Sequence, residues 1–329
     1  MGVVRVEVTR AGVTESVHGV HVVVARGSGS ALVAGNADFL TFARSAVKPM
    51  QALPVIADGA AATFGLTPRE TAILCASHSG EPFHVEAVRG VLNKAGAAES
   101  DLACGAHPPM GAAAADALVA AGEAPGRLHN NCSGKHAGML LLARHQGWPQ
   151  AGYHLPAHPL QARLRAEIAR WADVLPETIV TGTDGCGVPT YALPLSRLAG
   201  MFARFADAAG GGAVRQVTDA MTTHPEYVAG TDRLCTALMR ACRGRVIAKV
   251  GAEGVYCAAD LESGTGIALK VEDGGRRAAE TALVAVLQTI GVLGDDEANQ
   301  VAGWREPVLE NTRGEVVGGL RAFVTLDRA

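Results

Sequence analysis

Strand-like sequence sits at the two ends of this chain and helix-like sequence between them, and that division limits the fold more than any other feature. Alternation runs through Val3-Val4-Arg5-Val6-Glu7-Val8, and an apolar run from Val20 to Val24 leads to a turn at Arg26-Gly-Ser-Gly-Ser30. Such a pattern reads as antiparallel strands joined by hairpins. It returns at residues 245–250, 255–259 and 267–271, with a turn at Glu262-Ser263-Gly264. Between these regions the punctuation is helical. Thr67-Pro68-Arg69-Glu70 is a capping box with proline in the first turn, and its helix runs through Ile73, Leu74 and Cys75 toward Gly80. A second helix carries Val85, Val88, Val91 and Leu92 and ends at Gly96. Further helices are expected over 112–121, 135–145, 160–171, 195–208, 214–222, 232–242 and 277–293. The expectation is an α+β fold: an antiparallel sheet built from both termini with a helical subregion between. No stretch reads as a linker, so residues 1–329 are taken as a single domain of two closely packed subregions.

Composition removes several function classes. The 329 residues are 48% hydrophobic and 19% charged, enough to build a substantial core. A net charge of −3 and a pI near 6.4 argue against a generally basic nucleic-acid binder. No run approaches the ~20 apolar residues of a membrane helix; the closest, 282–293, is interrupted by Gln288 and Thr289. Arg5, Glu7 and Arg10 stand where a signal peptide has its apolar region, so a cytoplasmic protein with no membrane partner is expected. The seven cysteines are an odd number in a chain too large to need disulfide staples. They read as buried small hydrophobes or as ligands. There is no C-x-x-C, no H-E-x-x-H and no repeat.

Of the 29 lysines and arginines only five are lysine: Lys48, Lys94, Lys135, Lys249 and Lys270. A background that replaces lysine by arginine keeps lysine where arginine cannot substitute. Only an ammonium readily gives up its proton to become a base or an amine ligand.

Three of the five fall in motifs that can carry chemistry. In Ser45-Ala46-Val47-Lys48 a helical start would put hydroxyl and amine on one face, three residues apart. A deprotonated Lys48 would take the Ser45 proton and Ser45 would attack a carbonyl carbon. S-x-x-K is short and matches by chance, so the motif alone reads more often as a capping serine beside a solvated lysine, a reading that the scarcity of lysine weakens. Cys75-Ala-Ser77-His78-Ser79-Gly80-Glu81 reads either as hydroxyls that touch substrate or as a helix C-cap closed by Gly80. Asn130-Asn131-Cys132-Ser133-Gly134-Lys135-His136 opens a helix, but His129 and His136 occupy the positions where a phosphate loop needs Gly and Ser/Thr. What remains is a thiol and an amine at a helix N-terminus, where the dipole favours thiolate, a strong zinc ligand. Thr181-Gly-Thr-Asp184-Gly-Cys186-Gly187 supplies a second thiol and an acid, or only a turn. Lys249-Val-Gly251 lies on a strand downstream of S-x-x-K, the order found in penicillin-recognising enzymes and serine β-lactamases.

Taken together, Arg44-Ser45-Ala-Val-Lys48-Pro49, Ser77-His78-Ser79-Gly80-Glu81, Asn131-Cys132-Ser133-Gly134-Lys135-His136, Asp184-Gly-Cys186-Gly-Val-Pro189 and Lys249-Val-Gly-Ala-Glu253-Gly254 resemble the rhizobial-type L-asparaginases, the asparaginase II domain family. The resemblance spans nearly the whole chain. It implies a fold like that of serine β-lactamases and glutaminases, a cytoplasmic homodimer, and hydrolysis of L-asparagine to L-aspartate and ammonia. By motif it implies Ser45 as nucleophile with Lys48 as base, and Ser77 with Lys249 as a second pair, Ser79 being the alternative to Ser77. It further implies zinc held by Cys132, Lys135 and Cys186, with Asp184 in support. A zwitterionic substrate also needs partners for its carboxylate and ammonium, for which Arg44, His136 and Glu253 are the candidates. Two other readings remain: a related amidohydrolase acting on L-glutamine or a β-lactam, and a metal-binding protein without catalysis.

Overall fold

A computed structural model describes residues 2–27 and 29–329. Its strands are β1 (Val4–Arg10), β2 (Val13–Arg26), β3 (Gly29–Ala34), β4 (Leu40–Phe42), β5 (Val180–Thr183), β6 (Pro189–Pro194), β7 (Val246–Val250), β8 (Val255–Asp260), β9 (Thr265–Val271), β10 (Val308–Glu310), β11 (Val316–Phe323) and β12 (Asp327–Arg328). With the helices between them, the fold is α+β. Two compact units are present: Met1–Ala46, Ala192–Asp207 and Ala237–Ala329 form the first, Val47–Tyr191 and Ala208–Thr236 the second.

The first unit is built on an antiparallel sheet in the order β10-β11-β1-β2-β9-β8-β7, with β3 pairing β2 and β12. Chain ends that both read as strands therefore meet in one sheet. The turn expected at 26–30 joins β2 to β3 (Arg26 pairs Gly29), although Ser28 lies outside the described residues. Every residue of β7, β8 and β9 is buried, which requires cover on both faces of the sheet. Helix Leu195–Asp207 lies on β9 so closely that a Cβ on Gly266 would stand 2.2 Å from the Ala203 nitrogen. Helix Arg276–Thr289 turns Ala279, Ala282, Leu283 and Val286 inward, the spacing of a helical stripe. It ends four residues short of the expected 293, and the chain goes on into β10–β12, which periodicity did not reveal. The Gly318-Gly319 pair in β11 hides that strand's alternation. The pairing with β1 needs it, because a Cβ on Gly318 would sit 2.0 Å from the Thr9 carbonyl oxygen.

The second unit is helical, and its centre is helix Ser133–His145, buried from Ser133 through Ala143. Helices Lys48–Ala57, Pro68–Leu74 and Pro82–Ala95 pack on it. Gly134 is there because a Cβ would lie 2.2 Å from the Ile73 carbonyl oxygen, and Gly138 because one would lie 2.8 Å from Leu74 Cδ2. Two glycines one turn apart let two backbones meet, and this fixes Cys132 and Lys135 at the buried end of the helix. The capping box at Thr67 forms as expected, with Glu70 N–H donating to Thr67 Oγ1 and Thr67 N–H to Glu70 Oε2. Its helix stops at Leu74, well before Gly80. Residues beyond leave the helix because Ser77 N–H donates to Val228 O and His78 N–H to Asn131 O. Gly80, at φ +75°, turns the chain just ahead of Pro82–Ala95, so the reading of it as a C-cap is corrected.

Candidate active site

Lys48 opens its helix with a side chain that is 0% exposed. Pro49 in the first turn removes an N–H that would have no helical partner anyway. The Lys48 ammonium donates to Ala76 O at 2.5 Å, Ser77 Oγ at 3.1 Å and Cys132 Sγ at 3.1 Å. Three hydrogens meet three acceptors, which is how a buried lysine is tolerated. A hydroxyl and a thiol from two different motifs are thereby joined through one nitrogen.

Ser77 is held by its neighbours. Gly80 N–H donates to His78 Nδ1 at 3.1 Å, so His78 carries its proton on Nε2 and donates to Ser133 Oγ at 2.8 Å. The Ser133 hydroxyl passes on to Leu128 O at 2.9 Å. His78 is a neutral clamp: burial first, with the Lys48 charge adding to it, holds it well below the usual imidazole range.

The two thiols of the predicted ligand set also come together. Cys132 caps helix Ser133–His145, its N–H donating to Asn130 Oδ1 at 2.9 Å. Cys186 sits in a tight loop in which Gly187, at φ +88°, donates to Asp184 O and Asp184 N–H donates to Val188 O, both at 2.8 Å. A hydrogen bond from Cys186 lowers the Cys132 thiol well below its ordinary range against the effect of burial, and the Lys48 and Lys135 charges add to this. Cys186 is raised by the same bond and by burial. Lys135 Nζ donates to Cys186 Sγ at 3.1 Å, and Asp184 Oδ2 lies 3.7 Å from that sulfur. Burial works against the Lys135 charge, but Cys186, Cys132 and Asp184 outweigh it and raise this amine. Among the described residues no group of three His, Cys, Asp or Glu side chains is placed to hold a metal. The set here reaches three donors only by counting Lys135. Two sulfurs and a nitrogen fit zinc, which would take the place of the ammonium proton.

The remaining candidates divide as follows. His136 is buried; its Nδ1 lies 2.6 Å from the Tyr153 hydroxyl, which accepts from Ala103 N–H at 2.9 Å. Its Nε2 has no partner among the described residues. Arg44, Ser45, Lys249 and Glu253 belong to the first unit. Arg44 has φ +50°, a left-handed conformation costly for a side-chain-bearing residue, directly before half-buried Ser45. Lys249 is 0% exposed and donates to Val250 O at 2.9 Å. The glycine of its K-x-G is required: a Cβ on Gly251 would lie 3.1 Å from Ala43 O, which places the end of β7 against the segment leading to Ser45. Glu253 is exposed at the β7–β8 turn, at φ +57°, with its charge toward Lys270.

Sequence reasoning passed over Arg233. It is 7% exposed, its Nε has no partner among the described residues, and its NH1 reaches Ser79 Oγ at 3.4 Å. The available signal was its place immediately before helix Leu234–Ala241, the end where a dipole disfavours a cation.

A comparison with curated proteins found no match. The family model described as L-asparaginase II matches residues 6–322. That span takes in both strand-bearing ends, the Lys48–Ser77–Cys132 contacts and the Cys186 loop. The chain therefore belongs to the L-asparaginase II family, whose members are asparaginase-type amidohydrolases acting on small molecules.

Proposed function

We propose that this chain is an L-asparaginase, releasing ammonia and L-aspartate from L-asparagine by serine acyl transfer. The reading takes residues 1–329 as one domain with a serine β-lactamase- and glutaminase-like arrangement, acting as a homodimer in the cytoplasm. The observation that carries it is the buried Lys48 amine 3.1 Å from the Ser77 hydroxyl in a chain of this family.

In the first half-reaction a serine Oγ adds to the side-chain amide carbon while its proton passes to a lysine amine. Backbone N–H donors stabilise the oxyanion. The resulting ammonium returns that proton to the amide nitrogen, the C–N bond breaks and ammonia leaves. Water then cleaves the ester to aspartate and regenerates the serine. By motif Ser45 is the nucleophile with Lys48 as base, and Ser77 with Lys249 forms the second pair. The Lys48–Ser77 bond favours a second assignment, in which Ser77 is the hydroxyl that Lys48 activates.

Zinc would be held by Cys132, Cys186 and Lys135, with Asp184 beside them. There it would balance thiolate charge and fix the helix end that bears Cys132. Arg44, His136 and Glu253 stay proposals for the substrate's charged groups.

The test compares kcat/KM for ammonia release from L-asparagine and L-glutamine with that for opening of a chromogenic β-lactam. L-Asparagine should lead by tenfold or more, roughly the discrimination one methylene allows. A lead for glutamine or the lactam would reassign the substrate. Metal binding without turnover of any of them would leave a binding protein.

A further inference from the structure

Arg233 is a buried cation whose Nε has no partner and which makes no ion pair among the described residues. Among the described residues its hydrogen-bond partner is the Ser79 hydroxyl at 3.4 Å. Ser79 gives its own proton to Ala229 O at 3.0 Å, so it meets the guanidinium with a lone pair and no charge. The neighbouring carboxylate, Glu81, accepts from the Thr231 N–H and hydroxyl at 2.9 and 2.6 Å and makes no ion pair with Arg233 among the described residues. A helix begins one residue later, adding an unfavourable dipole. A buried guanidinium with no carboxylate in contact is costly, and an arriving anion would relieve it.

The residue is also near the chemistry. Ser77 N–H donates to Val228 O and the Ser79 hydroxyl to Ala229 O, so both serines are fastened to the segment that leads to Arg233. Gly230, at φ +137°, keeps that segment close: a Cβ there would stand 2.3 Å from Ser79 Oγ and 2.7 Å from Glu81 Oε1.

We infer that Arg233 binds the α-carboxylate of the amino-acid substrate, and so makes that carboxylate a condition of tight binding. The inference rests on the asparaginase reading. A guanidinium offers a carboxylate two parallel N–H donors, and Arg233 has them to spare. For the carboxylate, Arg233 thereby stands beside the sequence candidates Arg44 and His136, while Glu253 is left for the ammonium.

The experiment measures KM and kcat for L-asparagine together with the competitive Ki of β-alaninamide, which is asparagine without its α-carboxylate. In Arg233→Gln, KM should rise about tenfold or more, the effect of losing a charged hydrogen bond, with kcat within about threefold and the β-alaninamide Ki within about twofold. Arg233→Lys should fall between, because a point charge replaces a fork. An unchanged KM, or a KM and Ki that rise together as general loosening would produce, overturns the inference. Should the glutamine variant fail to fold, the lysine variant reads the same two constants. If the unmodified protein releases no ammonia from asparagine, it is the asparaginase reading that falls. If it does and the Arg233 constants do not separate, this inference falls alone.

Discussion

Several histidines in this protein clamp the backbone through both ring nitrogens. His84 accepts from Glu81 N–H at 3.1 Å and donates to Glu226 O at 2.8 Å, and His158 does the same between Leu160 N–H and Pro149 O. Burial brings His84 down to about 4, and burial also holds His78 and His136 well below the ordinary value. The native state therefore refuses protons that the unfolded chain accepts. Stability should be fully present above pH 6.5 and fall as pH drops from there toward 4, by about 3 kcal/mol for His84 alone. Urea denaturation across that range checks it, and His84→Asn should flatten the slope. Also at the residue scale, one equivalent of zinc is expected per chain. Cys132→Ser and Cys186→Ser should each reduce it to about a tenth or less, by elemental analysis of purified protein. Retained zinc in either variant would move the metal elsewhere.

Among the elements, helix Ser133–His145 decides where the chemistry sits. Gly134→Ala would drive a methyl group to 2.2 Å from a backbone oxygen that has no rotamer to escape with. It should cost at least the ~1–3 kcal/mol of an overpacked core, seen as a lower urea midpoint, and weaken zinc binding through displacement of Cys132. Much of this scale was legible in advance. Helix 112–121 was expected and found at those bounds, and strands 246–250 and 255–260 differ from expectation by one residue. These segments are long in period or bounded by Gly and Pro. The misses were of another kind. The Ser77 segment leaves its helix because of hydrogen bonds to residues 131 and 228, and β11 carries glycines for a contact with β1. Partners so distant in sequence leave no local period to read.

For the whole molecule, the sheet built from both ends was readable and the two-unit division was partly so. Lysine scarcity pointed to five residues, of which Lys48, Lys135, Lys249 and Lys270 are buried and Lys94 is half-buried. The joining of Ser77 to Cys132 through Lys48 was not readable, because three motifs converge only when three loops fold onto one helix end. That junction is the central claim, and ammonia release from L-asparagine by the unmodified protein and by Lys48→Met tests it most directly. The account predicts turnover in the first and a fall of at least about a thousandfold in kcat in the second, with the folded far-ultraviolet spectrum kept. An unmodified protein that leaves asparagine intact, or a folded Lys48→Met that keeps its full rate, would contradict it.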